Sequence, residues 1–531
     1  MAYAREYLSA VVQRSRVKMP PDGFEPNWAD APRYGKLYPG APTFPLPTGD
    51  VPDTATLDRG LLPPAADAVP FDLDTLSGML LDSYGRLARR VDLNANDDVT
   101  RLHAYPAAKW ARGTASGGGL YPVSLYWVSG ASGPLTPGVY HYSTWHHAMQ
   151  RLLTGDVGAE VRAALDLPGL DADIDQYLVL GIKFWQSSFK YNNFSYHATT
   201  MDIGTLTQTW RMWARAQGLD IAPAFWFDEA RLSRLLGVDG DTEGIFAVVP
   251  LPWRRDGRRP AAAPHGEHAP AVRLVDQERS REVLSFELLR KVHADTLETA
   301  TERPAPGQLT AVAAHPPRDT GTVPLPPPRP LGATVRGALR ARRSSFGQFL
   351  GETPLAGEEL SAILGAAAAG GRLPCDAPDA AAGLDLAKVY VFVNHVSGVE
   401  PGAYEYDPEG RTLRAVAPGP HGTFLQRNYF LANYNVEQAA AVVVPTVRAG
   451  ELIDEVGGRG FRVSNAVTGA VAQAVYTACG ALGVGCGAAL GFDNVSYIEE
   501  LGLDGTGEVP LLIVMVGHER PAPAALRHEI V

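Results

Sequence analysis

Three short segments carry residues able to act on a bound ligand. Arg112-Gly113-Thr114-Ala115-Ser116-Gly117-Gly118-Gly119-Leu120-Tyr121-Pro122 precedes an apolar run, and three consecutive glycines let backbone amides approach a ligand that a Cβ would exclude. Alone, such a segment is more often a plain turn before a strand. Arg342-Arg343-Ser344 stands before a helix-compatible stretch and offers two guanidinium forks and a hydroxyl, the donors a phosphate takes. The plain alternative is a solvated basic turn. Lys190-Tyr191, inside FKYNNFSYH, sets a proton acceptor beside a phenol that can position or polarise a substrate; an exposed lysine next to a half-buried tyrosine is the commoner case. His146, His147, His265 and His268 have no acidic or cysteine partner at a zinc spacing, so no metal is expected. Trp185, Trp210, Trp213 and Trp226 sit in apolar or amphipathic runs that predict core rather than a substrate platform.

The elements that must position these residues occur twice. Pro137-Gly138-Val139-Tyr140-His141-Tyr142 returns as Pro401-Gly402-Ala403-Tyr404-Glu405-Tyr406, and Tyr126 returns as Tyr390, at an offset of 264. Gln208 returns as Gln473, Phe227-Asp228 as Phe492-Asp493, and the Asp239 to Glu243 turn as Asp504 to Glu508, at 265. One residue of slip over that length marks a tandem duplication. Each copy reads as mixed α and β. A helix near Leu76–Ser83 or Leu360–Ala368 is followed by strands at 123–128 or 388–393. A hairpin, a long amphipathic helix (Thr200–Gln217; Ser464–Leu482) and a last apolar strand, FAVVPL or LLIVMV, complete the unit. This pattern predicts an α+β sandwich. Runs at 255–275 and 303–332 are rich in Pro, Ala and charge, and VPLPPPRPLG favours an extended polyproline linker. A helix over Glu278–Thr296 is expected to pack back on the first copy.

At 531 residues two cores are expected. A formal net charge of -11 without a basic run argues against nucleic acid, and leaves a small molecule or peptide as partner. Cys375, Cys479 and Cys486 lack the paired spacing of a disulfide framework or zinc site, which fits core positions in a reducing cytosol. The start MAYAREYLSAVVQRSRV has no apolar signal region, and apolar runs are too short to span a bilayer, so a cytoplasmic protein without membrane contact is expected.

Taken together these motifs resemble the nitroreductase-like SagB/McbC-type azoline dehydrogenases of thiazole- and oxazole-modified peptide biosynthesis, including thiopeptide-type pathways. In the first half the resemblance rests on GKLYPGAPTFPLP, the Arg112 to Pro122 loop, Pro137 to Tyr142, and Lys190-Tyr191 followed by MDIG and Gln208. In the second it rests on Arg342-Arg343-Ser344, GRGFRVSNAVTGAVAQAVYTACGALGVG, Gly491-Phe492-Asp493 and VMVGHE. It implies a tandem nitroreductase fold closed into an intramolecular pseudo-dimer. The implied divisions are an N-terminal extension (1–60), a first domain (61–300), a Pro-rich linker (301–334) and a second domain (335–531).

The resemblance further implies one FMN at the pseudo-two-fold interface. Its phosphate would be held by Arg342, Arg343 and Ser344, with Arg527 as a further contact; Ser116, Gly117 and Gly118 would face the flavin, with Gly491 close to the isoalloxazine. A second site is in doubt. The first half has no Arg-Arg-Ser before its helix, the second has Ala380 to Ala382 where Ser116 to Gly118 stand, and Trp226 replaces Gly491. The family's Lys-Tyr pair falls on Lys190 and Tyr191, which implies removal of a ring proton while hydride leaves for the flavin. One departure is Asn192-Asn193, where the family often has Gly and then a basic residue. The implied partners are an azoline-containing precursor peptide and a cyclodehydratase, and a homodimer of chains stays open. Two other readings also stay open: a different flavin oxidoreductase (an NAD(P)H nitro- or quinone reductase, or a peptide desaturase), or a cofactor-free peptide-binding scaffold.

Overall fold

The apolar runs of each half form an antiparallel sheet, and the two sheets share one strand order. In the first half Thr43–Pro45, Ala148–Thr154, Gly138–Ser143, Val123–Ser129, Gln176–Lys183 and Glu243–Pro250 lie side by side. In the second, Thr322–Pro324, Thr412–Pro418, Gly402–Asp407, Ala387–Val393, Ala441–Val447, Ile513–Gly517 and Gly485–Ala489 do the same. Even the irregularity is duplicated. The register slips between Val139 and Tyr140 in one hairpin and between Ala403 and Tyr404 in the other. Behind each slip a tyrosine hydroxyl donates to the incoming turn, Tyr140 to Thr136 O at 2.5 Å and Tyr404 to Glu400 O at 2.8 Å, fixing the bend that a bulge introduces. This computed structural model describes residues 2–48, 51–63, 69–92, 109–254, 270–345, 349–520 and 525–529; His265, His268 and residues 255–269 of the first linker run lie outside the described residues.

Between the sheets lie two long helices, Ser195–Ala216 and Arg459–Leu482, each starting five residues before the expected point. Nearly every residue of both is buried, as a helix enclosed on all sides must be. They cross where side chains are absent: a Cβ on Gly204 would fall 1.8 Å from Ala466 O, and one on Gly469 would fall 2.1 Å from Met201 O. Gly204 and Gly469, like Met201 and Ala466, are equivalent positions of the two copies, so each helix presents the same patch to the other. That is the signature of an isologous, two-fold interface, here within one chain.

Later elements tie the halves further. The strand Ala525–Glu529 pairs with Ala88–Asp92 of the first half, placing Arg527 opposite Arg90. Thr322–Pro324 begins VPLPPPRPLG as an edge strand of the second sheet rather than as free polyproline, an edge being where Pro is tolerated in a sheet.

The helix expected over Glu278–Thr296 begins only at Glu287 and runs to Glu298. Tertiary partners hold the preceding residues out of it: Glu278 pairs with Lys183 at 2.5 Å, and the Asp30 carboxylate accepts the amides of Arg281 and Glu282. Asn193 Oδ1 accepts the first amides of this helix, from Leu288 and Leu289. It packs on Tyr3–Gln13, whose leading amides donate to Asp295, and it touches both long helices rather than the first half alone. Among the described residues no helix is long and apolar enough to cross a membrane.

The crossing predicts a contrast between glycines. Gly204→Leu and Gly469→Leu should each lower the thermal midpoint strongly, overpacking costing about 1–3 kcal/mol or more. Gly365→Ala, at a helical position with nothing within 4 Å, should raise it by up to about 1 kcal/mol in stability. Thermal unfolding of the three variants checks this, and equal effects at all three positions would contradict the crossing.

Candidate active site

The Arg112–Pro122 loop is gripped from both halves. Gln473, on the second long helix, accepts Ala115 N–H at 2.9 Å and donates to Gly113 O at 3.1 Å. Its amide thus completes a short ladder with the loop backbone. Asp202, on the first long helix, accepts Ser116 Oγ at 2.6 Å and Gly117 N–H at 2.9 Å, while Ser116 Oγ accepts Tyr121 N–H at 2.8 Å. Between those anchors Gly118 and Gly119 adopt φ of 62° and 68°, which non-glycine residues rarely take.

Lys190 and Tyr191, both half-buried, end the short helix Trp185–Tyr191 and aim at this loop. A Cβ on Gly118 would lie 2.2 Å from Tyr191 Oη and 3.0 Å from Lys190 Nζ, whereas Gly119 faces open space. Glycine at 118 is thus what admits the pair. Directly after it, Asn192 has φ 43° and ψ −132°, a strained conformation for any residue with a side chain. The departure at Asn192 is one of geometry: this position asks for a glycine. Beside the pair, Trp28 stands exposed, its ring edge-on to Phe189 and 5.8 Å from Lys190 Nζ.

The second half meets the same loop from the other end. Arg342 is buried, its Nη2 donates to Arg112 O at 2.9 Å, and its guanidinium lies 5.4 Å over the Tyr476 ring, leaving Nε without a partner among the described residues. Ser344 Oγ is 3.1 Å from Tyr476 Oη, which accepts Ala488 N–H at 2.8 Å. Arg343 does not join them; it turns outward onto both carboxylate oxygens of Glu519. Arg527 pairs with Glu529 at 2.5 Å. Gly491 carries Phe430 on its carbonyl at 2.8 Å, beside the exposed side chains of Phe430 and Leu431.

Two participants escaped the sequence reading. Arg14, on the N-terminal helix, lies 4.9 Å over Phe194 and 5.8 Å from both Phe430 and Phe492, and it donates to Phe492 O at 3.2 Å. It joins the segment after Lys190-Tyr191 to the Gly491 turn, and only long-range contact reveals it. Asp202 sat within the quoted MDIG without a role. Burial pushes its carboxyl up to about 7, against the lowering effect of Ser116 and Gly117.

The mirror location is filled. Asp376, at the place of Arg112 in the second copy, accepts Phe225 and Trp226 N–H at 2.7 and 3.1 Å and pairs with Arg303 at 3.0 Å. Trp226 itself is wholly buried there. Gln208, the counterpart of Gln473, is buried with neither amide atom partnered among the described residues.

A pH signature follows. Because the folded Asp202 value lies above the unfolded one, about 3.9, its contribution to stability is complete below that value and falls as pH rises to about 7. Buried His141, His197 and His293, pulled down to about 3 by desolvation, act oppositely, losing stability as pH falls below about 6.5. The difference between wild type and Asp202→Asn in chemical denaturation isolates the carboxyl. That difference should change between about pH 4 and 7, and a flat difference would contradict the assignment.

Comparison with known proteins agrees with this architecture. A nitroreductase-like protein from Anabaena variabilis superposes over 98% of this chain and 100% of its own, at 22% identity and a TM-score of 0.72. Shorter matches include a chain of the E. coli microcin synthetase McbBCD complex with truncated pro-MccB17 bound (17% identity, 46% of this chain, 87% of that one, TM-score 0.28). Another is an Exiguobacterium sibiricum nitroreductase-like protein in complex with FMN (12% identity, 38% and 93%, TM-score 0.25). No curated protein is matched. The model of the nitroreductase family matches residues 93–253 and again 339–518, and the chain, matched over more than half its length and once in each half, belongs to that family.

Proposed function

We propose that the protein is an FMN-dependent dehydrogenase that oxidises thiazoline or oxazoline rings to thiazoles or oxazoles in a ribosomally made precursor peptide, a cyclodehydratase supplying the azoline. The observation that carries this reading is the convergence of Lys190 Nζ and Tyr191 Oη on Gly118, with Gly119 open beside it. A base and a phenol at the rim of a glycine cradle suit proton abstraction next to a bound acceptor.

The residues present fit FMN. Arg342 has a buried Nε with no partner among the described residues, Ser344 adds a hydroxyl, and Arg527 brings a third donor on the strand that crosses to the first half. These would hold the phosphate, while Ser116, Gly117, Gly118 and Gly491 would line the ring. Arg343 would brace the arm through Glu519. When bound, FMN supplies a two-electron acceptor for hydride. On this reading residues 61–300 contribute the cradle and the Lys-Tyr pair, and residues 335–531 contribute the phosphate arm. Lys190 takes the ring α-proton, and Tyr191 orients the ring by hydrogen bonding. Asp202 fixes both Ser116 and Gly117, and Arg14 holds the Gly491 turn against Phe194. Aromatisation of the product drives the exchange.

Lys190→Ala should abolish azole formation, by about 10²-fold or more, while flavin absorbance persists. Arg342→Ala should lose flavin while the far-UV spectrum stays native. The product is read by the 2 Da mass loss per ring on an azoline peptide. An active Lys190→Ala enzyme, or full flavin in Arg342→Ala, overturns the assignment.

A further inference from the structure

At the start of the glycine loop two arginines lie together with no counter-ion among the described residues. The Arg112 guanidinium sits between Tyr121 at 4.1 Å and Tyr84 at 4.7 Å, and Arg86 sits between Trp145 at 3.5 Å and Trp110 at 4.5 Å. Arg112 is 2% exposed. Its Nε, and Nε and Nη2 of Arg86, are buried with no hydrogen-bond partner among the described residues. Neither side chain pairs with a carboxylate among the described residues. Burial, reinforced by the charge of Arg112, pulls Arg86 down to about 10. Two like charges side by side, one buried and one half-buried, with unfilled donors are unfavourable unless an anion meets them.

Space for that anion adjoins Arg112. A narrow recess is lined by Tyr84, Tyr121, Ser124, His141 and Trp145 as well as Arg112. It admits only ≈ 10 Å³, about one water, before its mouth opens to solvent. Lys36, a further cation on its wall, is already neutralised by Glu243 and donates to Tyr126 Oη at 2.7 Å. Buried His141 stays uncharged. Among the described residues lining the recess the unpaired positive charge is therefore that of Arg112, with Arg86 beside it, and guanidinium forks pair with carboxylates edge to edge.

We propose that Arg86 and Arg112 form a carboxylate-binding subsite, entered past Trp145 and distinct from the cofactor cradle. Because Arg112 opens the loop that Asp202 and Gln473 hold, an occupant would be felt at the cradle. The acid could be free or could be carried on a peptide side chain.

Calorimetric titration of the FMN-loaded full chain tests this with acetate, benzoate, inorganic phosphate, and a capped Asp-containing peptide alongside its Asn analogue. Saturable binding of acetate or benzoate is expected, weakened at least about tenfold in Arg86→Gln. Tighter binding of the Asp than the Asn peptide would identify a peptide-borne acid; equal, weak binding of both peptides with retained benzoate binding would identify a free acid. No carboxylate binding by the wild type, phosphate bound more tightly than carboxylates, or binding unchanged in Arg86→Gln would overturn the proposal. Carboxylate binding seen only in the flavin-free chain would overturn it as well, since the arginines would then belong to the cofactor's phosphate. The wild-type titrations decide even if Arg86→Gln fails to fold.

Discussion

The close crossing of the two long helices at Gly204 and Gly469 sets the rest of the molecule. With carbonyls at 1.8 and 2.1 Å from where a Cβ would be, no side chain fits, and the helix backbones fix the angle and register between the halves. From that crossing Gln473 reaches across to the Arg112–Pro122 loop and Asp202 reaches the same loop from its own half. The catalytic candidates are thus assembled by elements that are rigid and enclosed, rather than by the loop itself.

Duplication gave two equivalent positions, and divergence has set them apart. Gln473 finds its loop, whereas Gln208 is left with a buried amide that has no partner among the described residues. At the place of Gly491 the first half carries Trp226, locked by Asp376 and Arg303, so that a ring and an ion pair fill the mirror position. A buried carboxylate tied to two amides and a guanidinium is well satisfied.

Much of this was legible in the residues. The offset repeats exposed the duplication, and the strand and helix periods placed the sheets and long helices within a few residues, because those elements are buried in the pattern their period demands. The Lys190-Tyr191 pair and the glycine loop were recognisable by type, although their meeting at Gly118 needed the fold. What stayed hidden depends on partners distant in sequence. Arg14 reads as one more charge at the end of an amphipathic helix, Arg343 is drawn off by Glu519, and the Glu278 segment is kept extended by Lys183 and Asp30 against its helical composition. The C-terminal strand on Ala88–Asp92 likewise has no local signal, since an edge is chosen by what it can pair with.

The central claim is a single composite cofactor site built from both halves, and the most direct measurement is the ratio of bound flavin to polypeptide after reconstitution and removal of excess, with the released flavin identified. The account predicts FMN at one per chain. Two per chain would show that the Trp226 side also binds, and none would contradict the site altogether.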